Sequence, residues 1–112
     1  MTDYYDPDGR PMTLEEWSVA FSTRPRFRQT YVGYGQGKKF VSTVWLGLDH
    51  NFAGGPPLIF ESMVFHKWTR DELDCRRYST KAEAFAGHAD LVRHWRHNRR
   101  QRRNYMSRKR QS

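Results

Sequence analysis

The stretch Phe40 to Leu48, FVSTVWLGL, decides the fold because it carries apolar residues on both faces of an extended chain. β-Branched and aromatic residues favour strands, and a strand that is apolar on both faces is typical of the interior of a sheet. The loop that follows, residues 49–57, closes in Gly-Gly-Pro-Pro and leads to a second apolar strand at residues 58–65. The two segments predict a hairpin in which Glu61 lies roughly opposite Trp45.

Two helices are predicted outside this hairpin. Thr13, followed three residues later by Glu16, forms a capping box that opens a short amphipathic helix, and Pro25 ends it. Thr80 and Glu83 repeat the capping pattern and open a longer helix. We expect this second helix to pack on the sheet through one apolar stripe. The stripe consists of Ala82, Phe85, Ala86, Ala89, Val92 and Trp95.

Further strands complete the predicted fold. Residues 26–34 alternate in the manner of a strand with one exposed face, residues 67–74 read as a polar connection, and residues 76–78 are a candidate edge strand. We therefore expect an α+β fold: a small antiparallel sheet of three to four strands, with a short N-terminal helix and a long C-terminal helix packed on one face. The strand at residues 40–48 is expected to be central.

Positive charge is concentrated at one end of the chain. Residues 1–92 contain eleven Lys and Arg against twelve Asp and Glu, whereas residues 93–112 contain nine Lys and Arg and no acidic residue. These two segments carry net charges of −1 and +9, which together give the formal charge of +8. We predict a compact domain at residues 1–92, followed by a basic helical extension at residues 93–112.

Composition also bears on location. No apolar run approaches the roughly 18 residues that a membrane-spanning helix needs. The first residues, MTDYYD, are acidic and polar, unlike a secretory signal. The expected location is the cytoplasm, without membrane contact.

Neither the cysteine nor the glycines of the chain predict a cofactor site. Cys75 is the only cysteine, so it forms no internal disulfide and no Cys-based zinc site. Its neighbour Arg76 suggests a lowered thiol pKa. Gly33, Gly35 and Gly37 resemble a phosphate-binding loop in spacing, but no helix pattern follows them. The sequence therefore predicts no cofactor and no metal.

Three segments together resemble a known family. They are residues 41–52 (VSTVWLGLDHNF), residues 55–65 (GPPLIFESMVF) and, within residues 77–88, the pattern RYST, EA and GH. In order and spacing they resemble a family of small proteins encoded by tailed bacteriophages and prophages. The resemblance covers roughly residues 40–90, about half of the chain, and does not extend to the Arg-rich segment. It implies an accessory protein made inside an infected bacterium, and it does not imply any particular activity.

The basic extension is the clearest candidate for a function. Its cations are Arg93, Arg96, Arg99, Arg100, Arg102, Arg103, Arg108, Lys109 and Arg110. Their mutual repulsion opposes compaction, and a polyanion relieves it with release of counterions. We interpret the chain as a non-enzymatic protein that binds DNA or RNA electrostatically, without base readout, or that binds a nucleic-acid-containing host complex. Inhibition of a host or defence machine is one such role. An acidic host protein, or a tail that only aids solubility, is the alternative.

A second candidate lies within the body: the polar residues Asp49, His50, Glu61 and His88, with Phe52 of the loop as a further candidate for a pocket or partner site. A carboxylate and an imidazole directed into an apolar layer need partners, because unpaired burial costs several kcal/mol. The group is compatible with a metal or acid–base site of a small hydrolase, or with a loop at residues 49–57 that docks on a host protein. The alternative is structural: Asp49 caps its loop, Glu61 pairs with Arg76 or Arg77, and His88 bonds a backbone carbonyl. No catalytic residue is assigned.

Overall fold

The computed structural model of the protein describes residues 3–23, 26–51 and 53–96. The elements in chain order are β1 (Tyr4–Tyr5), β2 (Pro11–Met12), α1 (Leu14–Thr23), β3 (Arg26–Val32), β4 (Lys39–Trp45), β5 (Phe60–His66), β6 (Glu72–Tyr78) and α2 (Lys81–Arg96). A short 3-10 turn, Gly35–Gly37, joins β3 to β4.

The four longer strands form one antiparallel sheet in the order β3-β4-β5-β6. Each strand pairs with its neighbours in the chain, so the sheet is a meander with β4 and β5 inside and β3 and β6 at the edges. This confirms the α+β prediction and the interior position of the strand predicted at residues 40–48. β6 is longer than the predicted edge strand at residues 76–78, because an edge strand can alternate charged and half-buried residues.

The register of the central hairpin differs by one residue from the prediction. Phe60 lies opposite Trp45, and Glu61 lies opposite Val44. Since successive residues of a strand face opposite sides, Trp45 and Glu61 lie on opposite faces of the sheet.

Gly47, at a φ of +71°, turns the chain after β4. A side chain added there would collide with the rings of Trp17 and Trp45.

Helix α2 lies across one face of this sheet. In β4 and β5 every second residue is fully buried against it, and α2 itself buries Ala84, His88, Leu91 and Val92. The predicted stripe was therefore wrong in phase: Ala82, Phe85, Ala86 and Ala89 are exposed, whereas Val92 is buried and Trp95 is half-buried. The prediction failed because it placed the polar His88 outside the stripe, although His88 is at the centre of the buried face.

The core has two apolar clusters beneath the helices. One contains Val32, Val41, Val64, Leu91 and Val92, with Trp95 packed against it, and lies under the C-terminal half of α2. The other contains Trp45, Ile59, Phe60 and Ala84, and it also receives Trp17 and Phe21 of α1. Both helices thus pack on the same face of the sheet. Neither these helices nor any other in the described residues is long and apolar enough to cross a bilayer.

Both predicted capping boxes are confirmed. The backbone N–H of Glu16 donates to Oγ1 of Thr13 at 3.1 Å, and the N–H of Thr13 donates to the Glu16 carboxylate at 2.9 Å. Thr80 and Glu83 exchange the same pair of hydrogen bonds, at 3.1 and 3.0 Å. Each box satisfies backbone donors that the first turn of a helix leaves unpaired.

The N-terminal segment forms a small hairpin of β1 and β2 that the sequence pattern does not reveal. It closes the end of the sheet where β4 ends. The N–H of Tyr5 donates to the Gly47 carbonyl at 2.7 Å, and Nε1 of Trp45 donates to the Tyr5 carbonyl at 3.0 Å. Nε1 of Trp17 donates to the Leu46 carbonyl at 2.8 Å. Two indole N–H groups therefore fix the packing of α1 and β1 on this end.

We call the face of the sheet opposite to α2 the open face, because both helices lie on the other side. Its half-buried side chains include Phe40, Val44, Met63 and Phe65 from the two central strands. Tyr31 of β3 lies beside Phe40 on this face and is 53% exposed. The open face is therefore more apolar than a solvated sheet face in a two-layer domain usually is.

The close approach of α2 to β6 depends on Gly87. A Cβ atom at this position would overlap the ring of Tyr78. We expect Gly87→Ala to lower the free energy of unfolding by about 1–3 kcal/mol, as overpacked cores do. This should occur although Ala is intrinsically favoured over Gly in a helix by about 1 kcal/mol. Urea unfolding followed by tryptophan fluorescence measures the change.

The control for this prediction removes the opposing ring. In a Tyr78→Ala background the same Gly87→Ala change should become stabilising, by about the ordinary propensity difference. A stabilising effect of Gly87→Ala in the otherwise unchanged protein would show that the helix does not need the glycine.

Candidate functional site

Asp49 and His50 organise the loop between β4 and β5. Oδ1 of Asp49 accepts the backbone N–H groups of Asn51 and Leu58, at 2.8 and 3.0 Å, and so ties the two ends of the loop together. Nδ1 of His50 bonds to the Leu48 carbonyl at 2.8 Å, which means that this nitrogen carries the proton. Asp49 therefore caps its loop, as the structural alternative predicts. Phe52 lies outside the described residues.

Glu61 lies on the open face and is held by Arg77. The Arg77 Nε donates to Oε2 of Glu61 at 3.0 Å, and the Glu61 side chain is only 15% exposed. The predicted pairing with one of the two arginines is thus confirmed for Arg77. Partial burial, followed by the charge of Glu61, raises the pKa of the neighbouring Cys75 thiol. The expectation of a lowered thiol pKa was wrong, because burial of the thiol, together with the charge of Glu61, outweighs the guanidinium of Arg77.

His88 lies between α2 and the sheet and is bonded to side chains. Its Nδ1 is 2.6 Å from Oγ1 of Thr43, and its Nε2 is 2.8 Å from Oγ1 of Thr30. Thr43 also contacts the Ser62 hydroxyl at 2.5 Å. The predicted bond to a backbone carbonyl is replaced by this chain of three hydroxyl groups. A neutral imidazole donates from one nitrogen and accepts at the other, so both ring nitrogens are satisfied.

The environment of His88 favours its neutral form. His88 is 2% exposed, and Thr43 and Ser62 are fully buried. This burial, with the charge of Arg28 as a smaller cause, lowers the pKa of His88 from its ordinary value of 6.5. A hydroxyl beside an imidazole suggests a nucleophile and its base, but here these groups are buried beneath α2. The arrangement is suited to holding the helix in place.

The structure does not combine the predicted polar group into one site. Glu61 is on the open face, His88 is under α2, and Asp49 is occupied within its loop. Within the described residues no three His, Cys, Asp or Glu side chains are arranged to hold a metal ion. These residues therefore serve at separate places in the fold.

The basic extension begins within α2. The helix continues past the predicted boundary at residue 92 to Arg96, and Trp95 packs against the core. Arg93 and Arg96 are exposed on its last turn. The other predicted nucleic-acid-binding residues lie outside the described residues: Arg99, Arg100, Arg102, Arg103, Arg108, Lys109 and Arg110.

A group of aromatic and basic side chains that the sequence analysis did not single out lies where β3 turns into β4 and β5 turns into β6. This basic-aromatic cluster consists of Tyr31, Tyr34, Lys38, Lys67 and Trp68. Tyr31, Tyr34 and Trp68 are 53%, 83% and 61% exposed. The ammonium groups of Lys38 and Lys67 lie 4.8 and 4.9 Å from the centre of the Tyr31 ring. The presence of both aromatic and basic residues in each of the two turns was the available signal.

No family model, curated protein or solved structure matches the chain. The resemblance to proteins of tailed phages accordingly stays a prediction.

His88 should make the stability of the protein depend on pH. Below about pH 6.5 the unfolded chain protonates His88, whereas the folded chain resists protonation until the pH reaches its lower folded pKa. The stabilisation is complete above pH 6.5 and is lost as the pH falls through that window. We expect His88→Gln to cost about 1–3 kcal/mol at pH 8, the usual cost of disrupting a buried hydrogen-bonded group. Below pH 6.5 this cost should shrink by up to about 1.4 kcal/mol for each unit by which the pH falls.

Urea unfolding of the two proteins at pH 8, 7, 6 and 5 gives this difference, in which the other histidines cancel. Ala89→Gln, at an exposed position of the same helix, is the matched control and should show no such trend, because it replaces no titratable group. A difference that is constant over this range would contradict the assignment.

Proposed function

We propose that this is a non-enzymatic accessory protein of a tailed bacteriophage or prophage, and that it binds nucleic acid through its basic C-terminal segment, residues 93–112. The observation that carries the proposal is the segregation of charge: nine cations and no acid follow a body whose net charge is −1. Such a segment releases condensed counterions when it contacts a chain of phosphates. Its arginines are suited to phosphate because the guanidinium fork matches the phosphate oxygens.

Geometry at the end of α2 supports the proposal. Asp90 bonds to Arg76 at 2.9 Å and to Arg93 at 3.1 Å. These two hydrogen bonds lower the pKa of Asp90, first through Arg76 and then through Arg93. Because one carboxylate serves two guanidinium groups, the positive charge of Arg93 is only partly balanced. The last turn of the helix, residues 93–96, carries two arginines and no acidic residue.

The arrangement of the body favours binding over catalysis. The imidazole and hydroxyl groups that would serve an enzyme are buried beneath α2, and Glu61 is occupied by Arg77. The body is then a folded carrier that presents a cationic segment. Occupation of an anionic groove of a host or defence complex is a role that such a protein suits.

Fluorescence anisotropy with labelled DNA and RNA tests this proposal on the full-length protein. For six or more phosphate contacts we expect the affinity to fall by about a thousandfold or more between 50 and 200 mM salt. Replacement of Arg99, Arg100, Arg102 and Arg103 by Gln should abolish most of the binding. It should also lower the salt slope by about three to four. A chain ending at residue 96, which keeps Trp95 in the core, should not bind measurably at 200 mM salt.

The matched control replaces the same four arginines by Lys, which keeps the charge and should retain most of the affinity, since the dominant contribution is electrostatic. Equal binding by the Gln variant and the unchanged protein would exclude the segment as the binding site. Absence of binding at 50 mM salt would overturn the proposal and direct attention to a protein partner at the loop of residues 49–57.

A further inference from the structure

Two aromatic rings of the basic-aromatic cluster, those of Trp68 and Tyr31, are held by defined contacts. Nε1 of Trp68 donates to the Gly35 carbonyl at 2.8 Å, which holds the exposed indole against the β3–β4 turn. The ring of Tyr31 is supported by Phe40, with centroids 4.8 Å apart. The N–H of Lys67 donates to the Lys38 carbonyl at 2.9 Å and joins the two turns. A ligand that stacks on these rings would therefore order little of the protein on binding.

The lysines of the cluster are arranged for an anion. Both ammonium groups lie within 5 Å of the Tyr31 ring centre, and that of Lys67 is also 4.8 Å from the ring centre of Trp68. Neither lysine forms a salt bridge within the described residues. An exposed cation–ring contact contributes only about 0.5–1 kcal/mol, so a phosphate can draw either ammonium group away from the ring. Because both lie within 5 Å of one ring centre, the two ammonium groups are less than 10 Å apart and repel each other, and an anion that both contact removes that cost.

The cluster also lies at the end of the sheet where the basic segment begins. Trp95, in the last turn of α2, packs against the core cluster of Val32 and approaches Lys39 to 5.8 Å from its ring centre. Val32 and Lys39 flank the β3–β4 turn of the basic-aromatic cluster. Arg93 and Arg96, on the last turn of α2, therefore lie at the same end of the sheet as the cluster.

We infer that the basic-aromatic cluster binds single-stranded nucleic acid, with bases stacked on Tyr31 and Trp68 and the intervening phosphate held by Lys38 and Lys67. Stacking on aromatic side chains beside cations is the general mode by which single strands are held without base readout. A duplex hides the faces of its bases and can use only the charges. The inference deepens the proposed function, on which it rests, by naming the class of nucleic acid.

An anionic bilayer is the competing partner, since Trp, Tyr and Lys also favour membrane interfaces. Insertion into a bilayer uses aliphatic side chains as well. Among the described residues the exposed large aliphatic side chains are Leu14 and Val19, on α1. Helix α1 packs where β4 ends, at the other end of the sheet. The cluster is thus better suited to stacking than to insertion.

The first experiment needs no variant. Anisotropy of the full-length protein is measured at about 100 mM salt with a labelled oligothymidylate and with an abasic strand that has the same number of phosphates. Loss of stacking should weaken binding of the abasic strand at least about tenfold, because each stacked base contributes roughly that factor or more. Equal affinity for the two strands would overturn the inference.

The second experiment localises the effect to the cluster. The double change Tyr31→Leu and Trp68→Leu should weaken single-strand binding at least about tenfold and leave duplex binding within about twofold. Tyr31→Phe keeps the ring and should leave single-strand binding unchanged. The matched control is Phe85→Leu. The Phe85 ring is exposed and has the guanidinium of Arg28 4.7 Å from its centre, but it lies on α2 and outside the cluster. This change should have no effect on single-strand binding.

The outcomes separate this inference from the proposed function. If the protein binds single and double strands equally and the double variant changes neither, the basic segment binds nucleic acid but the cluster does not. If no nucleic acid binds at low salt, both fail. Vesicles containing phosphatidylserine form the last arm. Vesicle binding that is lost in the double variant while single-strand binding persists would replace the inference with a membrane contact.

Discussion

The hydrogen bonds of His88 to Thr43 and Thr30 determine where α2 lies on the sheet. A buried imidazole with an unpaired ring nitrogen would cost several kcal/mol, so the helix cannot rotate or slide without finding two new partners. Apolar packing alone is non-directional and would tolerate small shifts. Gly87, the residue before His88, lets the helix backbone approach the ring of Tyr78. Two adjacent residues therefore set the position of the helix: His88 fixes its orientation on the sheet, and Gly87 fixes its distance from β6.

This placement explains why the two faces of the sheet differ. Both helices are on the side of His88, where polar groups are paired with one another beneath the helix. The other side keeps a layer of half-buried apolar side chains, and Tyr31 stands at its edge. Among the described residues, no helix covers this second face.

Local patterns allowed much of the fold to be predicted. The apolar strands and the two capping boxes depend on neighbouring residues, and those predictions are confirmed. The prediction of the buried face of α2 failed because the sequence does not show that His88 finds hydroxyl partners on two strands. The prediction of the Cys75 pKa failed because neither the burial of the thiol nor its approach to Glu61, fourteen positions away in the chain, can be read from neighbouring residues. The basic-aromatic cluster was missed for a related reason: the contact of Tyr31 with Lys67 exists only after the meander has formed.

The meander itself has a consequence for how the protein reaches its fold. Within the four-stranded sheet every pair is made between strands that follow one another in the chain. Each pairing closes a loop of limited length, and the entropy lost in closing a loop grows with its length. Low average separation of contacting residues correlates with rapid folding, and mixed helix and sheet domains of this kind fold faster than sandwiches with distant pairings. The sheet can therefore assemble hairpin by hairpin, and α2 can pack on it once all four strands have paired.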